Sequence, residues 1–526
     1  MKSRATRMLA VRRVTQDNRG KRTAGIDGMK NVEPKDRITM VATLSEPKRL
    51  KARPIRRVYI PKRNKAETRP LGIPVMLDRA YQALVKLALE PQWEARFEPN
   101  SYGFRPGRSC HDAIEAIFIG IRQESKFVLD ADIQGCFDHI DHQALLNKLD
   151  APPIIRRALK AWLNAGVMDG LDLSPTEKGT PQGGVISPLL ANIALHGLEE
   201  AVQKCYAHDR TYEKREKTGR AIIYRFRPQL IRYADDFVVL SQTLEGIDAS
   251  KLVIEQALAD MGLRLSLEKT RITHTLHSVD GNVGFDFLGF HIQQYPAGKT
   301  HGRKSDGRTP LGHKTLIYPS TESVNRHLSD LREIIHSHRS VKQDVLIYAL
   351  NPVIKGWTRY FRTGCSMRAF SHCEYVTYRM PRRWAERRHK KSKHWVSKRY
   401  WRCTDSKWRF GDNQAYLWKH WDTHIQRHVK VRGNMSPFDG NLLYWARRLK
   451  NHPLNSRIET KLLNVQRHKC TWCGLHFRAG DVLEVDHIDP REGRKNPFNQ
   501  QLLHGYCHDE KTARHGNTRG PGQRHQ

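Results

Sequence analysis

The tetrapeptide Tyr233-Ala234-Asp235-Asp236 lies between Leu230-Ile231-Arg232 and the apolar run Phe237-Val238-Val239-Leu240. Two apolar segments joined by so short a step predict a β-hairpin with adjacent carboxylates at its tip. Neighbouring carboxylates repel unless a cation sits between them. Divalent metal ions meet that need, although a solvated turn also accommodates Asp-Asp.

Other features decide between those readings. Phe127-Val128-Leu129-Asp130-Ala131-Asp132-Ile133 reads as a strand ending in a further acid, Asp132. Carboxylates from neighbouring strands can hold a pair of Mg²⁺ ions roughly 4 Å apart, one activating a primer 3′ hydroxyl and one neutralising a nucleotide triphosphate. Lys and Arg number 91 against 54 Asp and Glu, a formal charge of +37 that a polyanionic partner such as nucleic acid would relieve. The 11 Trp and the long periodic apolar segments argue for folded domains over a charged disordered tail. A chain of 526 residues exceeds what one core supports and should divide into several domains. No apolar run approaches the roughly 18 residues that span a bilayer, and no signal-peptide core follows the start, so no membrane partner and a cytoplasmic location are expected.

Along the chain, Arg56 to Lys62 reads as a short strand. The two Pro and one Gly of Arg69-Pro70-Leu71-Gly72-Ile73-Pro74 then favour an extended backbone over a helix. Helical spacing covers residues 78–97, 111–122, 250–261 and 320–361. Strands are expected over 264–267 and 285–292, which gives an α+β organisation up to about residue 300. Residues 295–315 look like a flexible basic link. The stretch 381–402 holds ten Lys or Arg against the single Glu386, with Trp384, Trp395, Tyr400 and Trp401 interleaved. A solvated helix would carry such charge, but aromatic rings among cations also suit stacking on bases.

The nine cysteines are thin through residue 403 and then cluster as Cys470, Cys473 and Cys507. Cys470-Thr471-Trp472-Cys473 and His504-Gly505-Tyr506-Cys507 are two knuckles of the spacing that a tetrahedral Zn²⁺ takes from facing turns, with His508 as a competing fourth ligand.

The order of these motifs resembles the reverse transcriptases encoded by group II introns. Residues 24–28, 69–74, 101–105, 132–138, 179–184, 265–270 and Phe287-Leu288-Gly289-Phe290 are similar to that family's successive blocks around Tyr-Ala-Asp-Asp. The resemblance implies a multidomain α+β chain with right-hand polymerase fingers and palm over residues 1–300 and an α-helical thumb, or X (maturase) domain, over 315–402. It implies further a basic DNA-binding region over 403–460 and a small zinc-containing ββα-metal (HNH) endonuclease module over 465–520.

Carried over by position, it implies Asp132, Asp235 and Asp236 as Mg²⁺-holding acids, with Lys62, Arg69, Ile133, Phe137 and Gln182 around the incoming deoxynucleotide triphosphate. Phe137 would act as a steric gate against a 2′ hydroxyl, though a core Phe is the plain alternative. Lys269 would lie close to the primer-template. Downstream, Glu484-Val485-Asp486-His487-Ile488-Asp489-Pro490 and Cys507-His508-Asp509 resemble an HNH nuclease. His487 would be its general base, Asp486 and His508 would hold one divalent ion, and Asn499 would orient the loop; these groups could instead merely complete a zinc fold.

The implied partners are group II intron RNA, held as a ribonucleoprotein, and target DNA that the nuclease nicks so that its 3′ end primes reverse transcription. A splicing-only RNA-binding maturase with inactive enzyme sites is the alternative. Relatives carry several dozen residues ahead of the segment resembling 8–13, so a misassigned start, a fragment or a missing extension is expected.

Overall fold

The computed structural model describes residues 2–46, 51–61, 68–170, 172–176, 178–180, 182–212, 222–297, 311–389, 391–404, 407–412, 415–478, 480–489 and 499–514. Lys62 and most of the expected basic link lie outside them.

Phe127–Asp132 and Asp236–Ser241 are the two inner strands of a four-stranded antiparallel sheet, flanked by Arg271–His274 and Gln229–Tyr233. Alternation sends successive side chains to opposite faces. Leu129, Phe237 and Val239 pack with residues of helices Met76–Glu94, Ser187–Ala194 and Leu244–Ala259. Val128, Val238 and Leu240 pack on helix Cys110–Ile121 and on Phe285 and Phe290 of the next sheet. Both faces are covered, which is why Phe237-Val238-Val239-Leu240 is continuously apolar and fully buried. A second sheet runs Thr68–Ile73, Ile55–Pro61, Val167–Asp169, Asp172–Ser174, and presents the extended segment that carries Arg69.

A three-stranded sheet, Phe285–Phe287, Phe290–Pro296 and His313–Pro319, leads into helices Thr321–Ser337, Gln343–Phe361 and Met367–Arg388. The helical pattern over 320–361 is therefore two helices. Their core includes Leu331, Leu346, Ile354, Trp384, Tyr400, Trp401 and Phe410. This corrects the expectation that the interleaved aromatics are free for bases. Trp384 donates its ring N–H to the His338 carbonyl at 2.8 Å, and Tyr400 and Trp401 are buried, leaving Trp395 as the exposed ring of the four. The reason is packing: Trp384 and Tyr400, on two successive helices, and Trp401, at the start of strand Trp401–Thr404, bury together with Phe410 in one core.

The expected strand over 264–267 is also replaced. Leu265 makes an isolated bridge to Ile133, and the chain then turns before strand Arg271–His274. Thr270 Oγ1 donates to the Ser266 carbonyl at 2.7 Å, closing that turn.

Part of the region 403–460 packs back onto helix Cys110–Ile121. Asp112, fully buried, accepts the Val431 N–H at 2.8 Å and Arg448 at 2.9 Å, with His428 Nε2 3.0 Å away. The last described segment pairs strands Leu483–His487 and Gln500–His504 antiparallel, followed by helix Gly505–Arg514. Among the described residues no helix is long and apolar enough to cross a membrane.

Candidate active sites and metal centre

Asp132 is the register partner of Asp236, which in turn faces Tyr233 across the hairpin, so Ala234 and Asp235 form a two-residue turn. Ala234 takes φ +60°, a conformation that costs a residue with a Cβ. Neighbours hold it there. A Cβ on Gly103 would collide with the Ala234 backbone, so that position is confined to glycine. Buried Arg232 donates to the Ala234 carbonyl at 3.0 Å, to Asn192 Oδ1 at 3.0 Å and to Ser101 Oγ at 2.8 Å. Asn192 in turn donates to the Gly103 carbonyl at 2.9 Å. The loop bearing Gly103 is itself locked by buried Arg105, which pairs with Glu94 at 3.0 Å and caps two carbonyls.

The carboxyls above this frame carry charge that Arg69 and Lys269 only partly offset. Loss of solvent, then Asp235 and Asp132, push the Asp236 carboxyl up to about 7. Asp235 is raised too, first by burial, while Arg69 and Lys269 pull it back. Lys269 contacts Asp132 directly, its side chain 62% exposed. A raised pKa on clustered oxygen donors is what a site for hard divalent cations shows when the neighbouring cations do not offset its acids.

Around the acids, Ile133 is buried behind the strand end and Phe137 is half-buried, its ring 6.2 Å from that of Phe104 and nearly perpendicular to it. The Phe137 carbonyl accepts the Thr180 N–H at 2.6 Å, and the Gln182 carbonyl accepts the Gly72 N–H at 2.7 Å. Gln182 Nε2 lies 3.5 Å from Asp138 Oδ2. Arg69 acts electrostatically on Asp235 and Ile133 directly follows Asp132, while Gln182 contacts Asp138 and Gly72, and Phe137 holds the Thr180 loop. Sequence reasoning missed Arg232, Asn192 and Phe104. Arg232 has a visible signal, a cation inside an apolar strand; Phe104, at φ +59° and 48% exposed, lies in the block 101–105, but its backbone strain leaves no trace in residue type.

In the C-terminal segment the ligand atoms of Cys470, Cys473, His504 and Cys507 all lie within 4.8 Å of one another, and among the described residues no other group of three or more such ligands gathers so closely. Three thiols and one imidazole are a donor set suited to tetrahedral Zn²⁺. His504 Nδ1 lies 3.4 Å from Cys473 Sγ, while its Nε2 lies 3.4 Å from Asp481, the outer carboxylate that fixes a ligating imidazole. His508 stands outside this cluster, which corrects its standing as a competing zinc ligand.

His508 faces the strand pair instead. Its Nδ1 is 2.6 Å from Glu484 Oε2 and its Nε2 is 3.6 Å from Asp486 Oδ1. Asp486 Oδ2 accepts Lys511 at 2.6 Å and Gln501 at 3.0 Å. Burial would push the Asp486 carboxyl up, but those two donors hold it below the ordinary range. His487 Nε2 is buried and has no hydrogen-bond partner among the described residues. Asn499 braces the loop reciprocally with Asp489 through two 2.7 Å bonds. Sequence reasoning gave no role to Lys511, three positions after His508, or to Glu484, two before Asp486.

The comparisons agree with this division. Residues 60–292 match the family described as reverse transcriptase (RNA-dependent DNA polymerase), and residues 324–401 the group II intron, maturase-specific domain. Residues 1–44 match the N-terminal domain of reverse transcriptase, and 470–514 the HNH endonuclease family. Protein YkfC of Escherichia coli K12 is 33% identical over 305 residues, covering 53% of this chain and 78% of that protein. Group II intron-encoded protein LtrA of Lactococcus lactis subsp. cremoris is 32% identical over 342 residues, 55% of each chain. Maturase-like protein 1 of Euglena gracilis is 25% identical over 370 residues, 68% of each. The aligned part thus spans about half the length of LtrA.

Proposed function

This chain belongs to the family of group II intron-encoded reverse transcriptases and maturases, and from that premise we propose that it acts as RNA-directed DNA polymerase, splicing maturase and DNA endonuclease. Residues 1–300 serve as fingers and palm, 315–402 as the thumb or maturase domain, 403–460 as a basic DNA-binding region and 465–520 as the nuclease. The observation that carries the reading is Asp132 facing Asp236 across adjacent strands, with Asp235 in the turn that joins the hairpin.

Asp132, Asp235 and Asp236 would hold Mg²⁺, which when bound activates the primer 3′ hydroxyl and neutralises the triphosphate. The primer oxygen bonds to the α-phosphorus as the bond to pyrophosphate breaks. Arg69 and Gln182 line the side from which the nucleotide enters, Phe137 stands where the sugar would lie, and the backbone of Ile133 closes the pocket. Lys269 exchanges its contact with Asp132 for the primer-template, as its exposure permits.

In the nuclease, His487 takes the proton of a water whose oxygen attacks the scissile phosphorus, and the 3′ oxygen leaves as the primer hydroxyl. Asp486 and His508 would hold the divalent ion there, while Cys470, Cys473, His504 and Cys507 would hold a structural Zn²⁺. The excess of 91 basic over 54 acidic residues suits intron RNA and target DNA as partners.

Primer extension on an RNA template tests the polymerase. Wild type extends with deoxynucleotides, and Asp235→Ala loses at least about 10³-fold. Equal incorporation by both proteins would refute the assignment. In parallel, RNA-bound His487→Ala should lose about 10²–10⁴-fold in Mg²⁺-dependent nicking of duplex DNA while reverse transcription survives. Nicking at the normal rate would remove His487 from the base role.

A further inference from the structure

We propose that Lys511 is a positioning residue of the nuclease site, fixing Asp486 so that one carboxylate oxygen, Oδ1, is left to a divalent ion shared with His508. The inference rests on the nuclease reading above and adds to it a residue that the motif does not name. Its ground is how the hydrogen bonds divide between the two oxygens of Asp486.

Oδ2 receives two donors, Lys511 Nζ at 2.6 Å and Gln501 Nε2 at 3.0 Å, which between them occupy its lone pairs. Oδ1 is the atom that faces His508 Nε2, at 3.6 Å. Glu484 Oε2 lies 2.6 Å from the other nitrogen, Nδ1, so Nε2 is the one turned toward Asp486. Metal-facing atoms and framework-facing atoms are therefore separated on both residues.

Lys511 itself is saturated. An ammonium has three hydrogens, and here they meet Asp486 Oδ2, the His487 carbonyl and, at 3.1 Å, the Ile488 carbonyl. The same group therefore sets the metal-side acid and the backbone of the base. Its side chain is 7% exposed. His508 and Lys511 are three apart on helix Gly505–Arg514 and so share a face; one helix delivers both to strand Leu483–His487.

The competing idea is that Lys511 merely fills the ion's place and leaves when metal enters. It predicts the opposite sign for the same substitution. Outer partners of metal ligands contribute about 10–100-fold in affinity. In full-length protein with zinc retained and Asp235→Ala introduced to suppress binding at the polymerase acids, Mn²⁺ titration followed by electron paramagnetic resonance reads the nuclease site. Lys511→Met is expected to weaken Mn²⁺ binding about 10-fold or more, Lys511→Arg to recover part of it, and Gln501→Met, which keeps the ammonium, to cause a smaller loss. Zinc content and unfolding midpoint report whether each variant is folded, and the Gln501 variant carries the test if Lys511→Met does not fold. Unchanged or tighter binding in folded Lys511→Met, or in Gln501→Met in its place, overturns the positioning role. If His508→Ala also leaves Mn²⁺ binding unchanged, the metal assignment of the nuclease site fails with it, an outcome separable from failure at Lys511 alone.

Discussion

The two acid sites solve the same electrostatic problem in opposite ways. Each has a lysine on an aspartate proposed to hold metal. Lys269 reaches Asp132 from solvent, 62% exposed, whereas Lys511 reaches Asp486 from within, 7% exposed and anchored on two backbone carbonyls. The acids differ too: Asp236 is pushed up to about 7, first by loss of solvent and then by its neighbouring acids, whereas Lys511 and Gln501 hold Asp486 below its ordinary range. The polymerase cleft must import further positive charge with metal, since Arg69 and Lys269 only partly offset its acids. The nuclease carries a permanent cation and imports only its ion.

Arg232 offers the largest test of this contrast, because it is the buried cation under the otherwise open cleft. Arg232→Met would leave the Ala234 carbonyl, Asn192 and Ser101 without their donor. Removing one partner from such a buried polar network is expected to destabilise by about 3 kcal/mol, read as a lower unfolding midpoint, with polymerisation falling and nicking retained. A variant as stable as wild type that still extends primers would show that the turn needs no internal support.

A smaller effect separates the two sites by pH. In metal-free protein Asp236, whose folded pKa is raised, contributes stability that is fully present below the unfolded value, about 3.9, and lost as pH rises toward about 7. Asp486, whose folded pKa is lowered, contributes stability present above the unfolded value and lost as pH falls through the folded one. Unfolding midpoints against pH should therefore change in opposite senses in Asp236→Asn and Asp486→Asn. Added Mg²⁺ should flatten the first difference, since the ion replaces the protons. Slopes of the same sign would break the comparison.

What the sequence discloses follows the range of the interaction. Hairpin strands and helices are legible because alternation and helical spacing are local, and the two knuckles at Cys470 and His504 are legible because metal geometry fixes their spacing. The clasp on Asp112 is not, since Val431 and Arg448 lie hundreds of residues away and nothing in their identity points to a buried acid. Trp384, Tyr400 and Trp401 mislead for a related reason: burial depends on how two helices and a strand pack together, which composition averages away. Residues 264–267 carry strand-like alternation, yet the Thr270 side chain and the bridge at Ile133 turn the chain before a ladder forms. Lys511 looks like surface charge in a chain of +37, and only its partners reveal that it belongs to the interior.

The most direct measurement joins the two sites. Target DNA, intron RNA complexed with the full chain, Mg²⁺ and labelled deoxynucleotides are incubated, and the DNA strand that carries label is identified. The account predicts complementary DNA covalently attached to the 3′ end of the nicked strand, lost in His487→Ala and restored when a pre-nicked duplex is supplied, but lost on either substrate in Asp235→Ala. Attached product of undiminished yield from His487→Ala on intact DNA, or from Asp235→Ala on either substrate, would contradict it.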